Sequence, residues 1–516
     1  MSKGLDSFKE IISHSKEYGY VFPSSEIYDG LGAVYDYGPY GVELKKNIRD
    51  YWWNAMVQIN DDVVGLDAAI FMNPKTWKAS GHVDNFSDPL IDNKDSKKRY
   101  RADVLIEDHA EKYRLKIEKD VAKGKKRFGD SFDEAQFRAT NPNVQRNQAK
   151  IDDIEKRFEA AMGANDLVAV KDLIVDLGIA CPESGSKNWT DVRQFNLMFS
   201  TQLGSVADES GTLYLRPETA QGIFVNFLNV QKSSRRKIPF GIAQTGKAFR
   251  NEIVARQFLF RMKEFEQMEM QFFVRPGTEM EWYEHWKQKR MNWHLSLGTN
   301  KDNYRFHDHV NLAFYANAAV DIEYNFPIGF KEVEGIHSRT DYDLRRHEEA
   351  SGRKLKYYDH EIDQHYTPYV VETSIGLDRM FLLVLSNAYA VEQLEQDGKT
   401  SERTVLRIPP VLAPVKLAIL PLVKKDGLDE KAMKIFDDLR FDFACQYDEK
   451  DAIGRRYRRQ DAIGTPYCIT IDYDTMKDDS VTVRYRDSME QKRVKIQELK
   501  DEMKNELDMA KLLRSL

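Results

Sequence analysis

Cysteine is scarce in this chain. Cys181, Cys445 and Cys468 are the only three in 516 residues, too scattered for a disulfide framework, and no Cys-x-x-Cys pair is present to build a zinc site. Such usage fits a reducing, cytoplasmic setting. Long apolar runs are missing too: nothing approaches the roughly 20 residues that span a bilayer, and residues 1–17 alternate charge with apolar positions instead of forming the apolar stretch of a secretion signal. A soluble protein with no membrane partner is expected. Lys and Arg number 77 against 83 Asp and Glu, a net charge of -6, which excludes a protein that coats nucleic acid without specificity; any such contact must be local. Both common phosphate loops are absent. There is no G-x-x-x-x-G-K-[ST], and Gly30-Leu31-Gly32 is followed by Tyr35 where a further glycine would be needed. A bound nucleotide must therefore lie on a sheet.

The chain is longer than one hydrophobic core usually serves, so two or three domains are expected. Residues 1–104 mix aromatic-rich turns with a helix over 42–57 and an apolar strand over 65–72. Residues 105–187 turn rich in Lys, Glu, Asp and Ala, with helical spacing at Ile151, Ile154, Phe158 and Met162, and read as a charged helical insertion. Alternating strands and loops return over 188–404, ending in a polar linker at 393–403 that breaks near Gly398. Residues 405–516 read as a small α/β domain: strands at 415–422, 467–472 and 480–485, a helix at 428–439 and a charged C-terminal helix.

Three short segments carry the chemistry: Arg216-Pro217-Glu218-Thr219, Phe249-Arg250-Asn251-Glu252 and Glu372-Thr373-Ser374-Ile375-Gly376-Leu377-Asp378-Arg379. Arginines grip phosphate oxygens, whereas Glu218 and Glu372 would repel phosphate and must serve something positive, such as the ammonium of an amino acid. Period-two alternation over 265–273 puts Phe265, Gln267, Glu269 and Gln271 on one face and Glu266, Met268, Met270 and Phe272 on the other. The first face suits the floor of an open site; the second suits a core. Arg250 and Glu252 share a face by the same period, and taken alone they read equally as a cross-strand ion pair worth under about 1 kcal/mol. Glu372 and Ser374 point to one side of a strand. Gly376 then opens a helix whose apolar face runs through Leu377, Met380, Phe381 and Val384. Arg379 falls in its first turn, where a cation is disfavoured unless an anion binds both it and the amides, or Asp378 pairs with it. His307 and His309 have metal-like spacing but no evident further ligands and read as surface positions.

Together these segments resemble the second and third signature motifs of class II aminoacyl-tRNA synthetases, and within that class the homodimeric glycyl-tRNA synthetases. The likeness extends through Tyr35-Asp36-Tyr37-Gly38-Pro39, Trp77-Lys78-Ala79-Ser80-Gly81-His82, Arg101-Ala102-Asp103, Phe195-Asn196-Leu197-Met198-Phe199 and the run from Glu334 to Leu344. It implies an α+β fold: an antiparallel β-sheet catalytic core flanked by helices, a helical insertion and a C-terminal α/β anticodon-binding domain. It implies ATP contacts at Arg250, Asn251, Glu252, Phe260, Arg261, Met262, Lys263, Glu264, Phe265, Glu332, Val333, Gly376, Leu377, Asp378 and Arg379, with Phe265 stacking on adenine. Arg250, Arg379 and Glu332 would be catalytic, and Glu332 would hold Mg2+ with the ATP. Glycine would meet Arg101, Glu218, Phe265, Glu266, Gln267, Met268, Glu269, Glu372, Thr373, Ser374, Ile375 and Gly376.

There are departures from the family pattern. Ala69 stands where the first motif usually has proline, and Cys181-Pro182-Glu183-Ser184 keeps one cysteine of a Cys-Pro-x-Cys knuckle, so zinc is not expected there. The expected reaction is ATP-dependent attachment of glycine to tRNA(Gly) through a glycyl adenylate, in a homodimer; the aromatic residues Trp52 and Trp53 fit either a dimer helix or ordinary core. A non-catalytic protein on the same scaffold would not need the full ATP set, and a larger amino acid would not suit three carboxylates round so small a pocket. The basic run Arg455-Arg456-Tyr457-Arg458-Arg459 reads as a solvated face or, by the resemblance, an RNA contact. Removal of everything after Val405 is expected to spare adenylate formation.

Overall fold

The computed structural model describes residues 2–203, 211–252, 257–309, 312, 316–396 and 399–516. It divides into a unit of residues 1–80, 200–250 and 256–516 and a second unit of residues 81–199 and 251–255.

The first unit is built on a seven-stranded sheet. Its strands are β1 (Val63–Gly65), β2 (Phe240–Phe249), β3 (Glu264–Val274), β4 (Tyr304–Asp308), β5 (Ala318–Phe326), β6 (Gly329–Thr340) and β7 (Tyr369–Gly376), in spatial order β4-β5-β6-β7-β3-β2-β1. All neighbours are antiparallel except β1 and β2. Among the helices packed on it are α1 (Pro39–Trp53), α2 (Ala220–Ser234), α3 (Glu279–Leu295) and α4 (Leu377–Ala388).

Period-two alternation sorts the sheet into two faces. Met268, Met270, Phe272, Ile336, Val371 and Ile375 turn to one side and form a continuous core with Leu44, Ile48 and Trp52 of α1 and the apolar residues of α4. That burial supplies the main driving force, at about 25 cal/mol per Å² of apolar surface removed from water. Helix α4 is apolar almost all round, as a helix enclosed by other elements must be. Pro39 starts α1 with a φ already suited to the first turn, and apolar side chains four and three apart bury one stripe. Five π-helical residues, Asn54–Gln58, continue it. Trp52 is fully buried in the core of its own chain, the ordinary-core alternative for that aromatic pair.

Two local expectations need correction. The strand expected over 65–72 is confined to Val63–Gly65 and an isolated bridge between Phe71 and Leu215. The expected linker is an antiparallel hairpin, Tyr389–Gln396 against Lys399–Leu406; Gly398 lies outside the described residues. Its polar residues find remote partners: Arg403 is fully buried, pairing with Asp461 at 2.8 Å and Glu392 at 3.0 Å. A strand whose charge partner lies 58 positions away cannot be told from a linker by local composition.

The C-terminal strands form a five-stranded sheet in the order Cys445–Tyr447, Leu417–Pro421, Tyr467–Ile471, Ser480–Tyr485, Gln491–Lys495, packed on helices Leu428–Leu439 and Ile496–Glu506. This part is fastened to the seven-stranded sheet. Leu406, Ile408, Leu412 and Ala413 belong to the same apolar cluster as α4, Leu512 and Leu513 pack against that cluster, and His14 Nε2 and Tyr20 Oη each lie 2.8 Å from backbone oxygens, those of Ala462 and Ile463. Cutting after Val405 would strip core residues, so the expectation that the remainder stands unharmed is withdrawn.

The second unit holds helices Ala102–Phe128, Glu134–Thr140, Pro142–Gly163 and Leu167–Asp176 with a three-stranded antiparallel sheet. Asn141 caps the third helix by accepting from the amides of Asn143 and Val144, with Pro142 next in line. The expected stripe is present: Ile151 and Ile154 are buried, and Phe158 and Met162 pack beside Ile154's cluster.

Candidate functional site

The polar face of the sheet carries one row of directly paired residues that runs across six strands: Gln244, Glu269, Ser374, Gly335, Asp321 and His307. A second row runs Gln271, Glu372, His337. Side chains opposite one another on antiparallel strands sit about 5 Å apart at Cβ, so the register alone gathers groups from distant parts of the chain.

Glu218, Glu269 and Glu372 belong to one hydrogen-bonded network. Gln271 Nε2 donates to Glu372 Oε2 at 2.6 Å and to Glu269 Oε1 at 3.4 Å, and the Thr219 hydroxyl donates to Glu269. Gln221 Nε2 donates to Glu218 Oε1 and Asp343 Oδ1, both at 3.0 Å. Arg339 closes the circuit: it grips Asp343 through Nε and Nη2 at 2.9 and 3.0 Å and reaches Glu372 Oε2 through Nη1 at 3.0 Å. His337 Nδ1 lies 2.8 Å from Glu372 Oε1.

These partners split the carboxyls into two kinds. Burial pushes the Glu269 pKa well above the usual carboxylate range, and the neighbouring charges of Glu372 and Glu218 push it further. Burial acts on Glu372 in the same direction, but the Arg339 guanidinium and the His337 contact outweigh it and hold that carboxyl at about 2. Like charges in one cavity share protons unequally, and the one with the cation stays ionised.

The arginines lie beyond this network. Arg379 is the third residue of α4; Nη1 is 3.0 Å from Glu332 Oε2, Nε donates to the Phe260 carbonyl at 3.2 Å, and the guanidinium lies 4.4 Å over the Phe260 ring. Arg250 donates from Nε to the Pro217 carbonyl at 3.0 Å and lies 5.2 Å over the Phe265 ring. The charges of Arg379 first, then of His337 and Arg250, hold the Glu332 carboxyl below its usual range. Glu332 and Glu334 would share a face by strict alternation, yet a bulge in β6 separates them. Val333 turns into the core; Glu334 is buried against Arg290 (2.6 Å) and His294 (2.8 Å), while Glu332 stays half-exposed beside Arg379.

Other expected contacts take other places. The side chains of Met262, Met268, Val333, Ile375 and Leu377 lie in the apolar core, and Thr373 is buried on that side of the sheet. Glu266 turns the same way, pairing with Arg49 at 2.6 Å and Lys45 at 3.3 Å. Asp378 does not pair with Arg379: it is buried, accepting from Tyr37, from Lys45 Nζ at 2.8 Å and from the Glu266 amide at 2.7 Å. Glu264 pairs with Lys247, Gln267 accepts from the Thr219 amide at 3.1 Å, and the Lys263 amide donates to Ala33. Strand β2 ends at Phe249, so period-two reasoning does not reach Arg250 and Glu252. Asn251, Glu252 and Arg101 belong to the second unit, where Arg101 pairs with Asp103 at 2.6 Å and Asp88 at 3.1 Å. Gly246 has a steric reason: an added Cβ would come within 2.3 Å of Arg216 Nη2.

Arg339, His337 and Asp321 carry much of this arrangement without having been given a role, and period-two alternation places Gln271 only on the site-facing side of its strand. A sequence signal existed, since His337 and Arg339 alternate along one strand, but their partner on β7 is visible only once the register is known. His307 is exposed, as the surface reading has it, whereas His309 Nε2 lies 2.9 Å from Asp321 Oδ2, with His337 beyond it, which corrects that reading for His309. In the basic run, on helix Ile453–Ala462, Arg456 is buried on the carbonyls of Pro421, Leu422 and Asp448, and Arg459 pairs with Asp448 and Asp451, so neither side chain is simply solvated.

Residues 200–388 match the tRNA synthetase class II core domain (G, H, P, S and T), residues 88–197 the glycyl-tRNA synthetase insertion domain 1, and residues 416–506 an anticodon binding domain. The fold is also that of a prolyl-tRNA synthetase from Cryptosporidium parvum, at a TM-score of 0.56 and 12% identity, covering 98% of this chain and 78% of that one. Fold and family matches together define a class II aminoacyl-tRNA synthetase. Glycine–tRNA ligase of Chlorobaculum tepidum is 50% identical over 487 residues, 94% of this chain and 97% of that protein. That of Staphylococcus haemolyticus is 50% identical over 500 residues, 96% and 98% of the two chains. The chain belongs to the glycine–tRNA ligase family. It attaches glycine to tRNA(Gly) with ATP, in two steps through a glycyl adenylate. Among the described residues no helix is long and apolar enough to cross a membrane.

Proposed function

We propose that glycine's ammonium sits among Glu218, Glu269 and Glu372, and that Arg250 and Arg379 hold the triphosphate of ATP beside it. The single observation that supports this reading most is the split between the carboxyls: Glu372 is paired with Arg339 and held low, while Glu269, buried next to it, is pushed well above the carboxylate range by burial and by the charges of Glu372 and Glu218. An arriving ammonium would offset those like charges and favour the ionised form of Glu269. Residues whose side chains lie in the core, such as Met268 and Ile375, would act through backbone groups. A methyl on the substrate would have to displace packed side chains, and steric exclusion of that kind discriminates more strongly than lost contact, which yields only about 1–3 kcal/mol per methylene.

In the first step the glycine carboxylate attacks the α-phosphorus and pyrophosphate leaves. In the second, the 3′-terminal ribose hydroxyl of tRNA attacks the glycyl carbonyl and AMP leaves. No protein nucleophile is needed; Arg250 and Arg379 position the reactants and offset charge as it develops. Glu332 fits a hard divalent cation, because its carboxylate is half-exposed and ionised. Mg2+ held there with ATP would neutralise phosphate charge.

We place the catalytic core at 1–104 and 188–404, the insertion at 105–187 and the anticodon-binding domain at 405–516, with exposed Arg455 among its RNA contacts. A homodimer in the cytoplasm completes the reading; exposed Ile27, Tyr28 and Leu31 offer apolar surface for a second copy. The test is calorimetry of glycine binding in buffers of different ionisation heat, with ATP–pyrophosphate exchange run across the amino acids. Proton release on glycine binding, lost in Glu269→Gln, is expected. Binding without proton release would remove the role given to Glu269.

A further inference from the structure

Outside the pocket just described, a second cluster occupies the far end of the polar row. His309, Asp321 and His337 each bring one ligand atom to within 4.8 Å of the others. They come from three chain positions: Asp321 and His337 stand on β5 and β6, and His309 follows β4 directly, its amide donating to the Ala319 carbonyl. Tetrahedral sites place ligand atoms roughly 3.4 Å apart around a metal with bonds of about 2.0–2.2 Å. His309 Nε2 and Asp321 Oδ2 are already 2.9 Å apart.

Two features show that this is more than proximity. First, His337 is oriented from behind: its Nδ1 lies 2.8 Å from Glu372 Oε1, which makes Nδ1 the donor to that carboxylate and leaves Nε2 to bind an ion once it carries no proton. Carboxylate-held imidazoles of this kind are the usual second layer of metal sites. Second, the glycine at 335 lets the two groups come together: an added Cβ there would lie 3.0 Å from His337 Cε1, 3.4 Å from His337 Nε2 and 3.6 Å from Asp321 Oδ1, and so would crowd both. All three groups are partly open to solvent, with side-chain exposures of 33%, 15% and 21% for His309, Asp321 and His337.

We propose that His309, Asp321 and His337 form a further metal site, selective for a divalent ion that prefers imidazole, of the Zn2+ or Co2+ class, over Mg2+. Two imidazoles and one carboxylate leave a fourth position open to water or a ligand oxygen. The site is distinct from Glu332 in its donor set, and it shares the His337–Glu372 contact with the glycine pocket. Through His337 the ion would be mechanically joined to Glu372.

Titrate the full-length, chelator-treated protein with Co2+ in the absence of ATP and follow its visible ligand-field absorption. One Co2+ per chain is expected, displaced by Zn2+ and not by excess Mg2+. His309→Gln and Asp321→Asn should each weaken binding at least tenfold, whereas Glu332→Gln should leave the spectrum unchanged. Thermal unfolding of each variant confirms that it is folded. Equal Co2+ affinity in the folded His309→Gln and Asp321→Asn proteins, absence of any ATP-independent Co2+ band, or loss of the band only with Glu332→Gln would overturn the proposal.

Discussion

Arg339 reaches across from β6 to Glu372 on β7, its Nη1 3.0 Å from Oε2, with both side chains buried. The pair keeps one carboxylate of the site charged before any substrate arrives, and Asp343 holds the other side of the same guanidinium.

Removing that guanidinium should strand Glu372. Arg339→Leu is expected to cost about 3–5 kcal/mol of stability, the usual result of breaking a buried pair from one side. Arg339→Lys keeps the charge but loses the two-pronged grip on Asp343, and should recover part of the loss. Urea unfolding midpoints measure both. Midpoints unchanged in Arg339→Leu would mean that Glu372 had taken up a proton at no cost. With the arginine intact, Glu372→Gln should instead raise the glycine KM in pyrophosphate exchange by at least tenfold.

The two carboxyls give stability opposite dependences on pH. Glu269 has its pKa raised on folding, so its contribution is complete below the unfolded value of about 4.3 and fades as the pH rises through the higher folded value. For Glu372, lowered to about 2, the contribution is present above about 4.3 and is lost as the pH falls toward that folded value. Glu269→Gln should therefore flatten the decline on the alkaline side, and Glu372→Gln the decline on the acid side. Denaturation midpoints taken across pH would reverse the assignment if the two variants exchanged these effects.

Arg250 and Asp378 should separate chemistry from architecture. Arg250→Ala is expected to slow adenylate formation by on the order of 100- to 1,000-fold, as for loss of one donor to developing charge, with little change in unfolding midpoint. Asp378→Asn loosens a buried anchor shared by Lys45, Tyr37 and the Glu266 amide, and should cost about 3 kcal/mol or more of stability. Pyrophosphate exchange and urea titration, run on both variants, decide the matter; a stable Asp378→Asn protein with a raised ATP KM would return that residue to the nucleotide site.

Truncation after Val405 should yield an insoluble or unfolded fragment, because Leu406, Ile408, Leu412 and Ala413 are fully buried in the core that holds α4. Replacing such residues one at a time with alanine typically costs about 2–5 kcal/mol for Leu or Ile. Soluble expression and circular dichroism of the fragment are the measurement. A folded fragment active in pyrophosphate exchange would restore the C-terminal part to independence.

Much of this was readable residue by residue. The alternation that sends Met268, Met270 and Phe272 inward and Gln267, Glu269 and Gln271 outward is a property of any strand, and Gly376 ahead of an apolar helix announces α4. Local periodicity fixes which face a side chain takes and where a helix can start, because it depends only on neighbouring backbone angles. It does not fix which strand lies alongside. Glu372 meets a guanidinium 33 positions earlier, Arg403 a carboxylate 58 positions later, and a single bulge at Val333 sends Glu332 and Glu334 to different tasks. Those relations come from register and long-range packing, whose free energy is shared over the whole sheet, and so only the folded chain could decide them.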